Sequence, residues 1–98
     1  MTVSIEFSTD ARAEFDKAFD WYAERSAGAA IGFATEIDVA IESILADPTR
    51  FVRTYAGCQL CRVKRFPFCV VYHHIGDKIT VVAIAHAKRR PGYWYTRL

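Results

Sequence analysis

Residues 86 to 97 bring together His86, the cations Lys88, Arg89, Arg90 and Arg97, and the rings Tyr93, Trp94 and Tyr95, without one carboxylate. Guanidinium and ammonium groups hold phosphate or carboxylate, flat rings stack on bases, and an imidazole moves protons near neutral pH. Such a set suits metal-free cleavage of RNA, where the 2′-hydroxyl is the nucleophile and the protein orients it, stabilises added negative charge and transfers protons. It suits equally a surface that receives an acidic partner. His86 is the natural titrating residue, with a histidine that caps the strand end as its plain alternative. Tyr93, Trp94 and Tyr95 could stack on bases or fold back over the sheet as core, the core role fitting Trp94 best. The adjacent His73 and His74 point to opposite faces near a hairpin turn and are not read as catalytic.

Other chemistries find little here. A metal-dependent nuclease needs carboxylates converging on its cation, and the second half of the chain offers only Asp77, in a hairpin turn. There is no glycine-rich phosphate loop and no nucleophile elbow, and the serines Ser4, Ser8, Ser26 and Ser43 all lie in the first half. The Cys58-x-x-Cys61 spacing invites a metal or redox reading, but an odd offset along extended chain sends the two thiols to opposite faces. Together with Cys69 they read as small buried hydrophobes. No metal or cofactor is expected.

Charge is distributed more tellingly than its net value of +2 suggests. Residues 1–48 carry three basic groups (Arg12, Lys17, Arg25) against ten acidic ones, whereas residues 49–98 carry ten basic groups against Asp77 alone. The halves are therefore −7 and +9. Exposed salt bridges between them would stabilise little and leave several arginines unpaired, so the basic half is expected to focus a positive field on an anionic partner.

These residues need a scaffold, and 98 of them make one domain (residues 1–98) that buries roughly two-thirds of its unfolded-chain surface. Thr2 to Ser8 alternates as a strand with Val3, Ile5 and Phe7 on its buried face. Ser8 or Thr9 can cap a helix in which Ala11, Phe15, Ala18, Phe19 and Tyr22 recur at helical spacing, ending near Ser26-Ala27-Gly28. A second helix carries the stripe Phe33, Ile37, Ala40, Ile41, Ile44 and Leu45 to about Ala46, where Asp47-Pro48 stops it. Strand periodicity then covers about Gln59 to Arg65, Phe68 to Ile75 and Lys78 to His86, with Gly76-Asp77 as a tight hairpin turn and Pro67 interrupting the ladder. The expected fold is α+β: an N-terminal strand, a helical hairpin and a three-stranded antiparallel meander, with both helices on one face of the sheet. Counting directions makes the first strand pair antiparallel with the last. Cys61 and Val63 suit the helical face, which puts Arg62 and Lys64 on the other. The last two strands are apolar at both parities, so the aromatic tail or a partner must cover part of the face away from the helices. No apolar run approaches the roughly 20 residues that span a bilayer, and the chain is read as cytoplasmic with no membrane partner.

This element order, together with "RFPFCVVY", the hairpin and "AIAHAKRRPGYWYTR", resembles the RelE/ParE superfamily of bacterial toxins from type II toxin–antitoxin modules, plasmid-stabilisation proteins among them. The resemblance covers essentially the whole chain. It implies a growth-inhibiting toxin neutralised by a cognate antitoxin whose flexible, acidic segment lies against the sheet and the basic surface. RelE-like members cleave ribosome-bound mRNA without metal. By that resemblance Arg62 and Lys64 match the basic pair on the sheet, Arg89 matches the arginine after the last strand, and Tyr95 stands for the tyrosine near the C-terminus. Cys69 occupies the place where those nucleases carry a further arginine. ParE-like members instead poison DNA gyrase and have no catalytic set, and "RFPF" and "RRPGYW" sit comfortably with them.

Three functions are thus open. In the first, a metal-independent, ribosome-dependent endoribonuclease uses His86, Arg89 and Tyr95 on RNA held by the basic residues. In the second, a gyrase-directed toxin binds protein through the same surface. In the third, a nucleic-acid-binding domain without toxicity uses its basic sheet face. The RNA- or partner-binding set is Arg62, Lys64, Arg65, Lys88, Arg90, Tyr93, Trp94 and Arg97.

Overall fold

The computed structural model describes residues 3–98, so Thr2, at the start of the expected first strand, lies outside the described residues. Five strands and two helices follow one another as β1 (Ser4–Phe7), α1 (Thr9–Arg25), α2 (Ala27–Ala46), β2 (Val52–Arg53), β3 (Gln59–Arg62), β4 (Phe68–Ile75) and β5 (Lys78–His86). A 3₁₀ segment, Tyr93–Arg97, ends the chain. No helix among the described residues is long and apolar enough to cross a membrane.

Local chemistry explains the helical hairpin. The Ser8 hydroxyl accepts from Ala11 N at 3.1 Å and opens α1, with Asp10 in the first turn and Arg25 in the last, where each suits the helix dipole. Ser26 alone joins the two helices. Its N–H donates to Tyr22 O at 2.8 Å, closing α1, while its hydroxyl accepts from Ala29 N at 3.2 Å, opening α2. Ala30, Phe33, Ile37, Ala40 and Ile44, three or four positions apart, are the buried stripe of α2.

The sheet order is β1-β5-β4-β3-β2. β3, β4 and β5 form the expected antiparallel meander, but β1 pairs with β5 in parallel, through Ser4↔Lys78 to Phe7↔Val81, and not antiparallel. The cause is β2, a two-residue strand that pairs antiparallel with β3 through Val52↔Leu60 and Arg53↔Gln59. One extra reversal between α2 and β3 turns every later strand around. Its turn needs two left-handed residues, Ala56 at φ 57° and Gly57 at φ 76°.

The two faces carry different cores. Beneath the helices lie Cys61, Val63, Val70, Tyr72, Ile79, Val81 and Ile84. Phe33 is their centre, its ring centroid 5.5 Å from Phe15, 5.3 Å from Tyr22 and 5.1 Å from Phe68. The face away from the helices holds Cys58, Val71, Val82, Ala83 and Ala85 under Trp94. The odd offset thus does separate Cys58 from Cys61. Both parities of β5 are apolar partly because of a bulge: Val71 pairs with Ala83 and Tyr72 with Val81, so Val82 has no counterpart on β4. Ile79 and Val81 face the helices before the bulge, and Ile84 does so after it.

Candidate functional site

The cationic residues collect at one end of the sheet. There the β3–β4 turn, carrying Lys64 and Arg65, meets the segment after β5, carrying Lys88, Arg89 and Arg90, and Ala87 N donates to Pro67 O at 2.8 Å to tie the two together. Arg62 ends β3 on the face away from the helices, in register with Cys69 of β4 and through it with Ala85 of β5. Arg65, left-handed at φ 66°, reaches back to α2 and pairs with Glu36 at 3.0 Å. Lys88, Arg89 and Arg90 are exposed, and among the described residues none of the three forms an ion pair.

The expected residues nonetheless fall into two separate places. His86, Arg89 and Tyr93 converge on a cleft of about 430 Å³ between α1 and the end of β5, with Lys17, Trp21 and Phe68 among its other walls. His86 packs its ring edge-on against Phe68, centroids 5.0 Å apart, and its Nδ1 accepts from Lys88 N at 3.0 Å. The neutral ring therefore carries its proton on Nε2. The Arg89 guanidinium stacks 3.9 Å over the Tyr93 ring. Arg62 and Lys64 border a different groove, of about 420 Å³, between α2 and the β2–β3 edge, together with Arg50 and Glu36. His86 thus borders the cleft beside α1 and the end of β5, whereas Arg62 borders the separate groove beside α2 and the β2–β3 edge, at the other side of the sheet's strand order.

Three members of the binding set hold the fold. Trp94 is 4 % exposed and lids the second core; its Nε1 has no oxygen or nitrogen partner and lies beside the Cys58 thiol, a weak acceptor. Tyr93 donates to Glu14 Oε2 at 2.6 Å, and Arg97 binds both oxygens of the same carboxylate at 3.0 Å. Glu14 also accepts from Ile84 N at 3.0 Å, and Arg97 donates to Val82 O at 3.0 Å. Beyond Val81 strand β5 has lost β1 as neighbour, so this ion pair takes the place of the missing strand at the bulge. Burial alone would raise the Glu14 pKa, but the hydrogen bonds from Arg97, Tyr93 and Ile84, with the Arg97 charge, hold it below the ordinary carboxylate value. The Tyr93 hydroxyl is driven far up, by burial first and then by the Glu14 carboxylate.

Tyr95 is 62 % exposed, with its ring outside both cores. His73 and His74 are half-buried, and His73 Nδ1 and His74 Nε2 are buried without hydrogen-bond partners. Sequence reasoning passed over Glu14, Lys17 and Trp21. Glu14 had a signal, since a carboxylate three residues after Ala11 and four before Ala18 stands on the buried stripe of α1. Trp21 had a weaker one, a large ring next to Tyr22 where only one of the two can face the core.

A solved chain described as the chromosomal ParDE TA system from P. aeruginosa superposes with a TM-score of 0.74 at 17% identity, covering 89% of this chain and 98% of that one. None of the curated protein sequences matches. The family model described as the ParE toxin of the type II toxin–antitoxin system parDE matches residues 5–91. That span runs from β1 through the whole sheet to the cationic segment after β5, and the chain belongs to the ParE family of type II toxins.

Proposed function

We propose that this toxin arrests growth by binding DNA gyrase, with the cationic end of the sheet as a protein-binding surface, and that a cognate antitoxin with an acidic segment neutralises it. The observation that carries this reading is the separation of the expected catalytic groups. A metal-free nuclease needs its phosphate clamp and its proton carriers around one phosphodiester. Here His86 lies in the cleft beside α1, Arg62 borders the separate groove beside α2 and the β2–β3 edge, and Tyr93, Trp94 and Arg97 are engaged in packing and ion pairing. The unpaired cations Lys88, Arg89 and Arg90 remain exposed around the loop junction, where an acidic surface would meet them.

Pulse labelling within minutes of inducing the toxin alone tests the proposal. DNA synthesis is expected to fall while protein synthesis is at first spared, and purified toxin is expected to inhibit supercoiling by purified gyrase. A prompt fall in translation with gyrase unaffected would overturn it in favour of mRNA cleavage.

A further inference from the structure

Two kinds of group meet in the cleft between α1 and the end of β5, and the fold uses up neither. The first is a set of donors from three elements. Lys17 comes from α1, His86 from β5 and Arg89 from the turn that follows, which Arg89 N closes by donating to His86 O at 3.0 Å. Lys17 and Arg89 form no ion pair among the described residues, and His86 keeps its Nε2–H free because Nδ1 accepts from Lys88 N. The one carboxylate in the wall, Glu14, is held by Ile84, Tyr93 and Arg97, and its charge is cancelled by Arg97. Two cations are therefore left over. The second kind is a set of rings, with Trp21 on α1, Phe68 on β4 and Tyr93 on the tail, and Trp21 stands 52 % exposed among them.

We propose that this cleft is a binding site for a free nucleoside monophosphate, with the base set among Trp21, Phe68 and Tyr93 and the phosphate received by Lys17, Arg89 and His86 Nε2. Charge and donor count select the anionic group. A phosphate monoester carries a charge of about −1.5 to −2 at neutral pH on three acceptor oxygens, which matches two cations and one neutral donor. A single carboxylate would leave one cation unpaired. The Arg89 guanidinium is ordered beforehand, since it stacks 3.9 Å over the Tyr93 ring, so it loses little freedom on binding. Aromatic walls with a few convergent polar groups are the usual make-up of a small-molecule site, and a volume of about 430 Å³ falls in the roughly 300–1,000 Å³ that such sites occupy. Every base has a π-face, so the site selects for a phosphate joined to a base and tolerates any of them. Occupancy neutralises Arg89, an exposed cation of the surface proposed to meet gyrase, and so weakens that contact; this consequence alone rests on the proposed function.

The chain contains two tryptophans, Trp21 at the cleft and Trp94 over the opposite face, and so carries its own control. In a 15N-labelled sample of the full chain, titration with adenosine 5′-monophosphate is expected to move the Trp21 indole N–H signal and the His86 and Arg89 amide signals while leaving the Trp94 indole N–H in place. Adenosine, which lacks the phosphate, and ribose 5-phosphate, which lacks the base, are each expected to bind at least roughly tenfold more weakly, as is the nucleotide to Lys17→Gln and to Arg89→Gln. Lys88→Gln, at an exposed cation outside the cleft wall, is expected to bind the nucleotide within roughly twofold of the native chain. An unmoved Trp94 signal shows that each variant is folded. No shift of Trp21, a shift centred on Trp94, equal affinity for inorganic phosphate, an equal loss in Lys88→Gln and Arg89→Gln, or tighter binding of a 5′-phosphorylated tetranucleotide than of the mononucleotide would each overturn the proposal. Binding to the isolated toxin is read without gyrase or growth, so this result and the test of the toxin's target can fail independently.

Discussion

The Tyr93 hydroxyl donates a 2.6 Å hydrogen bond to the Glu14 carboxylate, 79 positions away along the chain. Arg97 joins the same carboxylate, and a single side chain on α1 therefore fastens both the tail and the bulged edge of β5.

Replacing Glu14 should be costly because its partners stay behind. In Glu14→Ala, the Arg97 guanidinium and the Ile84 N–H lose their acceptor in a site where each side chain of the pair is no more than one-fifth exposed. The expected loss is about 3 kcal/mol, or a fall in Tm of at least roughly 10 °C. Glu24→Ala, at an exposed position on the same helix, should change stability by less than about 0.5 kcal/mol. Thermal melts of the two variants check the contrast.

The same carboxylate sets an acid limb. Its folded pKa lies below the ordinary 4.5, so its contribution is fully present above that value and is lost as pH falls through the lower folded value. Tm of the native chain should therefore drop on acidification below about pH 4.5, while Glu14→Gln, already weaker at neutral pH, should lose less over the same range. Parallel curves for the two proteins would show that other groups dominate the acid transition.

Trp94 should matter as a lid. Truncation to alanine uncovers Val71, Val82, Ala83 and Ala85 and removes a large buried ring, at a cost of about 3–5 kcal/mol. A lower urea midpoint with increased binding of an apolar dye is the expected pair of readouts.

Gly92 starts the tail at φ 79°, and a Cβ there would stand 3.2 Å from Tyr55 Cδ2. Gly57 has a similar φ of 76° with open space around it. Gly57→Ala should cost about 1 kcal/mol from backbone conformation alone, and Gly92→Ala should cost more. The difference in chemical denaturation measures how firmly the tail is seated against Tyr55.

Burial pushes the Cys58, Cys61 and Cys69 thiols up, which keeps them protonated and slow to alkylate at neutral pH. Mass spectrometry after iodoacetamide treatment should find Cys69, the half-buried one, labelled first, and Cys58 and Cys61 labelled only on unfolding. Cys69→Ser should leave the proposed gyrase inhibition intact, whereas an mRNA nuclease that used this position would respond.

Much of the scaffold was legible because its signals are local and periodic. β4 and β5 have the bounds that alternation assigned to them, and α2 stops at Ala46 where Asp47-Pro48 said it would. β2 was not legible, since two residues have no period, yet it alone decides whether β1 runs with or against β5. The bulge at Val82 was hidden for a similar reason: apolar residues at both parities look alike whether a strand is covered on both faces or shifts its register midway. The cations were easy to find, but the placement of His86 and Arg62 in separate clefts was not, because His86 reaches the helical side only through that bulge. Glu14 shows what sequence alone withholds: its place on the buried stripe was visible, while its partners lie 70 and 83 positions away.

The parallel pairing of β1 with β5 has a consequence during synthesis. As the chain emerges from the ribosome, the helical hairpin can form early from neighbouring residues, but β1 must wait for the strand that begins at Lys78, and α1 keeps Glu14 unsatisfied until Arg97 is made. At about 5–20 residues per second the intervening stretch takes several seconds to translate. Through that interval the nascent chain presents an unpaired strand and the acidic helices, without the completed cationic end. The order of manufacture thus delays assembly of the surface proposed to do harm until β5 and the segment after it have been added.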